Sequence, residues 1–214
     1  SSGGSGGSSG GPGGTRPRVS GGASNVEFDY SDPVQSFINT VRNVVTAPVG
    51  FFRGIRREGD FVNPLIFAII CYEVSAILGG LLSLVGVTGS RGFGSFLLSI
   101  ILAPIFAAIG LFIGAGIIHL LVMLIVGSRN SGFEGTFRVG AYSAVTSLVS
   151  WIPVIGWIAS LYGIYLAIMG IREVHNTSTG KAAIVVLIPA VVVILLALII
   201  IAAIGAAIFF GTQQ

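Results

Sequence analysis

Apolar residues gather into four long runs, at residues 62–87, 96–127, 139–171 and 182–210, with short polar stretches between them. Inside these runs the only carboxylate is Glu73 and the only imidazole is His119. A hydrocarbon core of about 30 Å needs roughly 20 apolar helical residues. Runs 62–87 and 182–210 therefore predict one span each, and Asn63-Pro64 suits the start of the first. Run 96–127 would reach about 48 Å as one helix. Tilt, protrusion and a kink at Pro104 could absorb the excess in one span, whereas a hairpin there would put Arg91 and Arg129 on one side and blur the charge bias.

The run 139–171 is the ambiguous one. As a single helix it would reach roughly 50 Å, and as two arms, 139–152 and 157–171, each would reach only about 21–22 Å. Length leaves a tie, and charge breaks it. Arg129 and Arg138 lie upstream, Arg172 and Lys181 downstream. Basic residues flanking a span stay in the cytoplasm, so both flanks share a side and the chain must enter and return. Pro153 and Gly156 supply the turn, with Trp151 and Trp157 as interfacial anchors. The expectation is an all-α integral membrane protein with a five-helix transmembrane bundle over residues 59–212. Its N-terminus is expected in the cytoplasm, its C-terminus outside, and the plasma membrane is its expected home. Of eleven Lys and Arg, only Arg91 then falls outside.

Two segments precede the bundle. Residues 1–30 form a Gly/Ser-rich tail, expected to be disordered because it has little apolar surface to bury. Residues 31–58 form an amphipathic segment. Asp32 is an N-cap candidate and Pro33 fits the first helical position. Val34, Phe37, Ile38, Val41, Val44 and Val45 follow at helical spacing, opposite Gln35, Ser36, Asn39, Thr40, Arg42 and Asn43. Pro48 ends this helix, and Phe51, Phe52 and Ile55 continue among Arg53, Arg56 and Arg57. Two readings stand side by side: a helix lying in the headgroup region, and a helix packed on the protein's own cytoplasmic face. The chain opens on Gly and Ser rather than a basic stub with an apolar core, so its first span is expected to direct insertion.

Composition agrees. Charged residues make up 9% of the chain against about 25% in soluble domains, and mean hydropathy is +0.96. The net charge of +3 sits on the flanks and points to anionic lipid headgroups. No basic face with interleaved aromatics suggests nucleic acid. The single Cys71 excludes an internal disulfide. No nucleophile–base set and no phosphate loop occurs, so neither an enzyme nor a cofactor is expected.

Candidate chemistry is sparse. A carboxylate at mid-span costs about 2.5–3.5 kcal/mol on insertion scales, which makes Glu73 functional by default. It could be a neutral acid bonded to Tyr72 or serine hydroxyls, a proton or cation site paired with His119, or a partner contact. A metal would need further ligands that the runs do not offer. Gly110 and Gly114, with Ser75/Gly79 and Ala76/Gly80, are small residues four apart and predict close helix packing. Asn176-Thr-Ser matches a glycosylation sequon, read as chance at a cytoplasmic position. Arg138 and Tyr142 lie four apart on one helical face. They could hold a neighbouring loop or a lipid phosphate, or simply snorkel and pack.

Three stretches make a set: FFRGIRREGDFVNPLIFA (51–68), FEGTFRVGAYSAV (133–145) and WIPVIGWIASLYGIYLAIMGIREVHNTSTGKAAIVVLIP (151–189). Phe137-Arg138 with Ala141-Tyr142, the Pro153/Gly156 turn, and Gly170 followed by His175, Ser178 and Lys181-Ala182 carry a resemblance over roughly residues 45–210. The chain resembles the prokaryotic branch of the Yip family, membrane proteins named for interaction with Ypt/Rab GTPases. The resemblance implies five membrane helices. It also implies, for eukaryotic members, vesicle traffic and membrane shaping through a long acidic and aromatic N-terminal region. Gly and Ser stand in that place here, so GTPase binding is not carried over.

The leading expectation is a non-enzymatic protein that organises or shapes membrane or recruits partners at its cytoplasmic face. Arg53, Arg56, Arg57, Arg138, Tyr142, Arg172, His175 and Lys181 would form that face. A membrane-protein partner or a second copy would be its protein contact. The alternative is a small ion or solute transporter or channel using Glu73 and His119.

Overall fold

A computed structural model describes residues 27–86 and 92–211, with side chains to residue 205. Arg91 and residues 1–26 lie outside the described residues. Two short helices, α1 (Pro33–Thr46) and α2 (Pro48–Gly54), precede the bundle. Then come α3 (Val62–Leu84), α4 (Phe93–Ile125), α5 (Gly132–Ser143) continuing into a 3-10 segment (Ala144–Val149), α6 (Ile155–Val174) and α7 (Thr179–Gly211). Proline opens α1 and α2, where its missing N–H is no loss.

Four helices, α3, α4, α6 and α7, are long and apolar enough to cross a membrane. Run 96–127 is indeed one helix, continuous through Pro104. The all-helical membrane class stands. The first arm of the hairpin needs a correction: it runs over 132–149 instead of 139–152, and it is a composite. Arg138, expected to flank this arm, sits in the middle of α5 and is buried. A buried partner lets the helix continue back through it to Gly132. At roughly 1.5 Å per α-residue and roughly 2.0 Å per 3-10 residue, the composite reaches about 30 Å. The longer rise per residue of its last, more tightly wound turns makes up for its shortness.

Contacts along the composite show its course. Phe137 meets Phe61, Tyr142 meets Phe67, Ser150 meets Ser75, and the Trp151 side chain lies against Gly79. It therefore runs parallel to α3. Against α6 it runs the other way, with Val139 on Gly170 and Thr146 on Gly163. The hairpin tip thus stands level with Gly79, about 7 Å short of the end of α3 at Leu84. One end of the bundle carries the arginines and the other this sunken tip; we call them the basic end and the tip end.

The core sits at the basic end. Phe51, Phe52, Phe67, Phe137 and Tyr142 are essentially inaccessible. Their rings meet edge-on or tilted, Phe51 and Phe67 lying 5.0 and 5.3 Å from Tyr142 and Phe112 lying 4.6 Å from Phe137. Toward the tip end, α4 and α7 turn Ile101, Ile105, Phe106 and Val191 to Ile201 outward. An apolar exterior is what hydrocarbon surroundings demand.

The turn at 150–154 is tight. Val154 adopts φ 71°, and a Cβ on Gly156 would overlap the Ser150 carbonyl oxygen. That neighbour is backbone and cannot swing away. Gly156→Ala should therefore destabilise the purified protein by about 2 kcal/mol, a fall in melting temperature of roughly 4–8 °C. Thermal unfolding in detergent measures it, with Gly94→Ala, where nothing crowds the added methyl, as the neutral control.

Candidate functional site

The basic end carries the buried ion pair and the histidine network. Its centre is Arg138, 2% exposed on α5. A guanidinium so buried must find partners, because stranding a charge in an apolar medium costs many kcal/mol. Glu27 accepts from Arg138 Nη1 and, at 2.9 Å, from the Tyr142 hydroxyl. The other Glu27 oxygen accepts the Arg56 backbone N–H. Arg138 Nη2 donates to the Asp60 carbonyl at 2.8 Å. Among the described residues Nε has no partner. Two segments remote in sequence thus close on one guanidinium.

Glu27 belongs to the stretch that the sequence places in the disordered tail. It is 6% exposed, and the adjacent Phe28 is buried between Phe37 and Phe67, its ring 6.5 and 6.0 Å from theirs. The packed chain therefore begins at least three residues earlier than the 1–30 boundary allows. VEFDYSD (26–32) breaks the Gly/Ser composition with acids and aromatics, and that change was the available signal.

A second network joins the two histidines. The Ser131 N–H donates to His175 Nδ1 at 3.1 Å. An acceptor at Nδ1 leaves the proton of the neutral ring on Nε2. Nε2 lies 3.0 Å from Thr136 Oγ1, and Thr136 Oγ1 lies 2.9 Å from His119 Nδ1. The backbone amide thus sets a direction: His175 donates to Thr136, and Thr136 donates to His119. Ser131 Oγ also donates to the Val174 carbonyl at 2.6 Å, holding the loop that presents the amide. His175 is 1% exposed. Burial pushes its imidazole down to about 4, with His119 and Arg57 adding to the effect.

Glu73 and His119 are not brought together. His119 bonds Thr136 near the basic end, six residues before α4 ends. Glu73 stands eleven residues into α3, and its Oε1 is buried without a partner among the described residues. Of the expected surface set, Arg138, Tyr142 and His175 are buried. Arg53, Arg56, Arg57 and Lys181 are exposed and Arg172 half-buried. Arg53 and Arg172 both bond Glu173, at 3.0 and 2.6 Å, and Arg57 reaches the Asn176 side chain at 3.2 Å. No three His, Cys, Asp or Glu converge as a metal site among the described residues.

A family model described as the Yip1 domain matches residues 42–201 of the chain. No curated protein and no solved structure matches it.

Two measurements test the networks. Removing one partner of a buried ion pair strands the other, so Glu27→Ala and Arg138→Met should each cost about 3–5 kcal/mol. The double variant should cost much less than their sum, which a double-mutant cycle of unfolding free energies reads directly. For His175 the folded value of about 4 lies below the unfolded 6.5. The unfolded chain then binds more protons between those values, so stability rises with pH across that window. The contribution is complete above the unfolded value and disappears as pH falls toward 4. His175→Asn should flatten the melting temperature against pH between 6.5 and 4 relative to wild type.

Proposed function

The chain belongs to the Yip family, and from that premise we propose that it organises membrane through the surface of its basic end, facing the cytoplasm. Membership and the apolar helices make it a multi-pass membrane protein, and the fold fits a non-enzymatic role. The in-facing basic end rests on the distribution of Lys and Arg along the sequence, and the plasma membrane on the resemblance to prokaryotic members.

One observation carries the reading: α1 has two apolar faces. Phe37, Thr40 and Val44 turn inward, and Tyr162 holds the end of the helix through the Val45 carbonyl at 2.7 Å. On the outside Val34, Ile38 and Val45 are 71, 55 and 44% exposed, spaced as a stripe beside Gln35, Asn39 and Arg42. A soluble surface would carry polar residues there. Helices that lie in the headgroup region present such a stripe to acyl chains and basic residues to phosphates. The exposed Arg53, Arg57 and Lys181 supply the basic residues. The two readings of this helix are thus compatible, one face serving the bundle and the other the bilayer.

Transport through a Glu73–His119 pair has weaker support. The two residues are held at different depths, and His119 is already engaged by Thr136.

Spin-labelled phosphatidylglycerol and phosphatidylcholine around the reconstituted protein provide the test. Phosphatidylglycerol should associate several-fold more strongly, and Arg53→Gln/Arg57→Gln/Lys181→Gln should bring the ratio near one, because each basic residue near a charged surface contributes about 1 kcal/mol. A bimane on Ile38→Cys should be quenched by doxyl-labelled acyl chains. An unchanged ratio, together with an unquenched probe, would sink the proposal.

A further inference from the structure

We propose that the hydroxyl-lined chamber between α3, the 3-10 segment, α6 and α7 binds a small neutral polyol. The chamber is an open-sided recess of about 430 Å³, with Ser150 and Ser160 exposed at its rim, within the range of small-molecule sites and far above the roughly 30 Å³ of one water. Six hydroxyls line it, from Tyr72, Ser143, Thr146, Ser147, Ser150 and Ser160. It stands level with Gly163 of α6, in the apolar part of the bundle.

The hydrogen bonds give the chamber its chemical sense. Thr146 donates to the Ser143 carbonyl, Ser147 to that of Ala144, Ser150 to that of Ser147 and Ser160 to that of Gly156, over 2.7–3.1 Å. Each hydroxyl has one hydrogen and two lone pairs. With those four hydrogens turned to local backbone, what remains on the oxygens is acceptor capacity, part of which on Ser150 is met by the Ser75 hydroxyl. Ser143 Oγ is buried and has no partner among the described residues. Such an orphan costs about 1–3 kcal/mol unless something satisfies it. The chamber therefore calls for a hydrogen-bond donor.

Charge and shape narrow the class. No charged side chain lines the chamber, so an ion there would lack compensation. That argues against ammonium compounds, and against a lipid phosphate carrying a glycerol headgroup. Gly140, Ile164, Ala167 and Val186 supply apolar wall between the hydroxyls. A polyol presents the matching pattern, C–H faces alternating with O–H donors.

Access follows from shared walls. Ser150 and Ser160 also line a crevice of about 420 Å³ bounded by Trp151, Pro153 and Trp157 at the tip end. On the other side the chamber shares Tyr72, Gly140, Ala167 and Val186 with an apolar cavity that reaches Thr136. There the Thr136 hydroxyl is held between the two histidines. The site adjoins the crevice at the tip, and it is independent of the surface role of α1.

Saturation-transfer NMR with glycerol, on the full chain in phosphatidylcholine nanodiscs, tests this. Wild type should give a saturable signal, and Ser143→Ala/Ser147→Ala should weaken binding about tenfold through two lost acceptors. A signal that does not saturate, or that survives unchanged in the folded double variant, would mean that the chamber holds water only and would overturn the proposal. A second measurement serves if the double variant does not fold. Ser143→Cys in a Cys71→Ala background should react with a water-soluble methanethiosulfonate, and glycerol should slow that reaction. A thiol that fails to react, or reacts at the same rate with glycerol present, overturns the proposal equally.

Discussion

A guanidinium buried at the edge of an apolar bundle has to be neutralised, and the basic end is arranged around that requirement. Arg138 draws Glu27 in from the N-terminal strap before α1 and the Asp60 carbonyl from the loop before α3, and Glu27 also accepts from Tyr142, one turn along the helix of Arg138. Glu27 in turn ties the Arg56 amide. The strap then delivers Phe28 to Phe37 and Phe67, and that aromatic contact seats α1 on the bundle. A buried pair of this kind adds little to stability over apolar residues of the same shape, but breaking it is expensive. Its effect here is to specify which strap, loop and helix meet.

The same residue explains the shortened arm. Because Arg138 is satisfied inside the protein, α5 can begin at Gly132 and still be only twelve residues long. The 3-10 turns stretch the remainder, and glycines at 163 and 170 let α6 approach along its length. The arm still ends below the tip of α3. Shortness of the arm and depth of the crevice at Trp151 and Trp157 are therefore one fact. The serine hydroxyls of the 3-10 segment, turned on their own carbonyls, line what the short arm leaves open.

Much of this was legible along the chain. Apolar runs separated by Arg and Lys dictate how many times the chain turns, because charged residues resist burial in hydrocarbon. The hairpin at Pro153 and Gly156 follows from like charges on its two flanks. Helix starts at Pro33, Pro48 and near Pro64 follow from proline's missing donor. The candidate site was legible only in part. Arg138 and Tyr142 were recognisable as sharing a face, and a neighbouring loop was among the partners considered. Glu27 was missed because its partner lies 111 residues away, a distance at which no periodicity speaks. Thr136 and Ser131 were missed for a similar reason: a hydroxyl gains its role from the ring nitrogens folded against it.

By itself the sequence determined the medium, the all-helical class, the places where the chain reverses and the amphipathic character of α1. Each follows from local composition and from the cost of placing charge and backbone in hydrocarbon. Only the tertiary structure decided which charges are buried and which are displayed. Arg138 and His175 carry the same kind of side chain as surface residues, yet 2% and 1% exposure removes them from any lipid-facing role. It also decided that Glu73 and His119 stand apart and that α1 packs one face on the bundle while leaving an apolar stripe exposed. Burial is a property of neighbours, and neighbours are assigned only when helices distant in sequence pack.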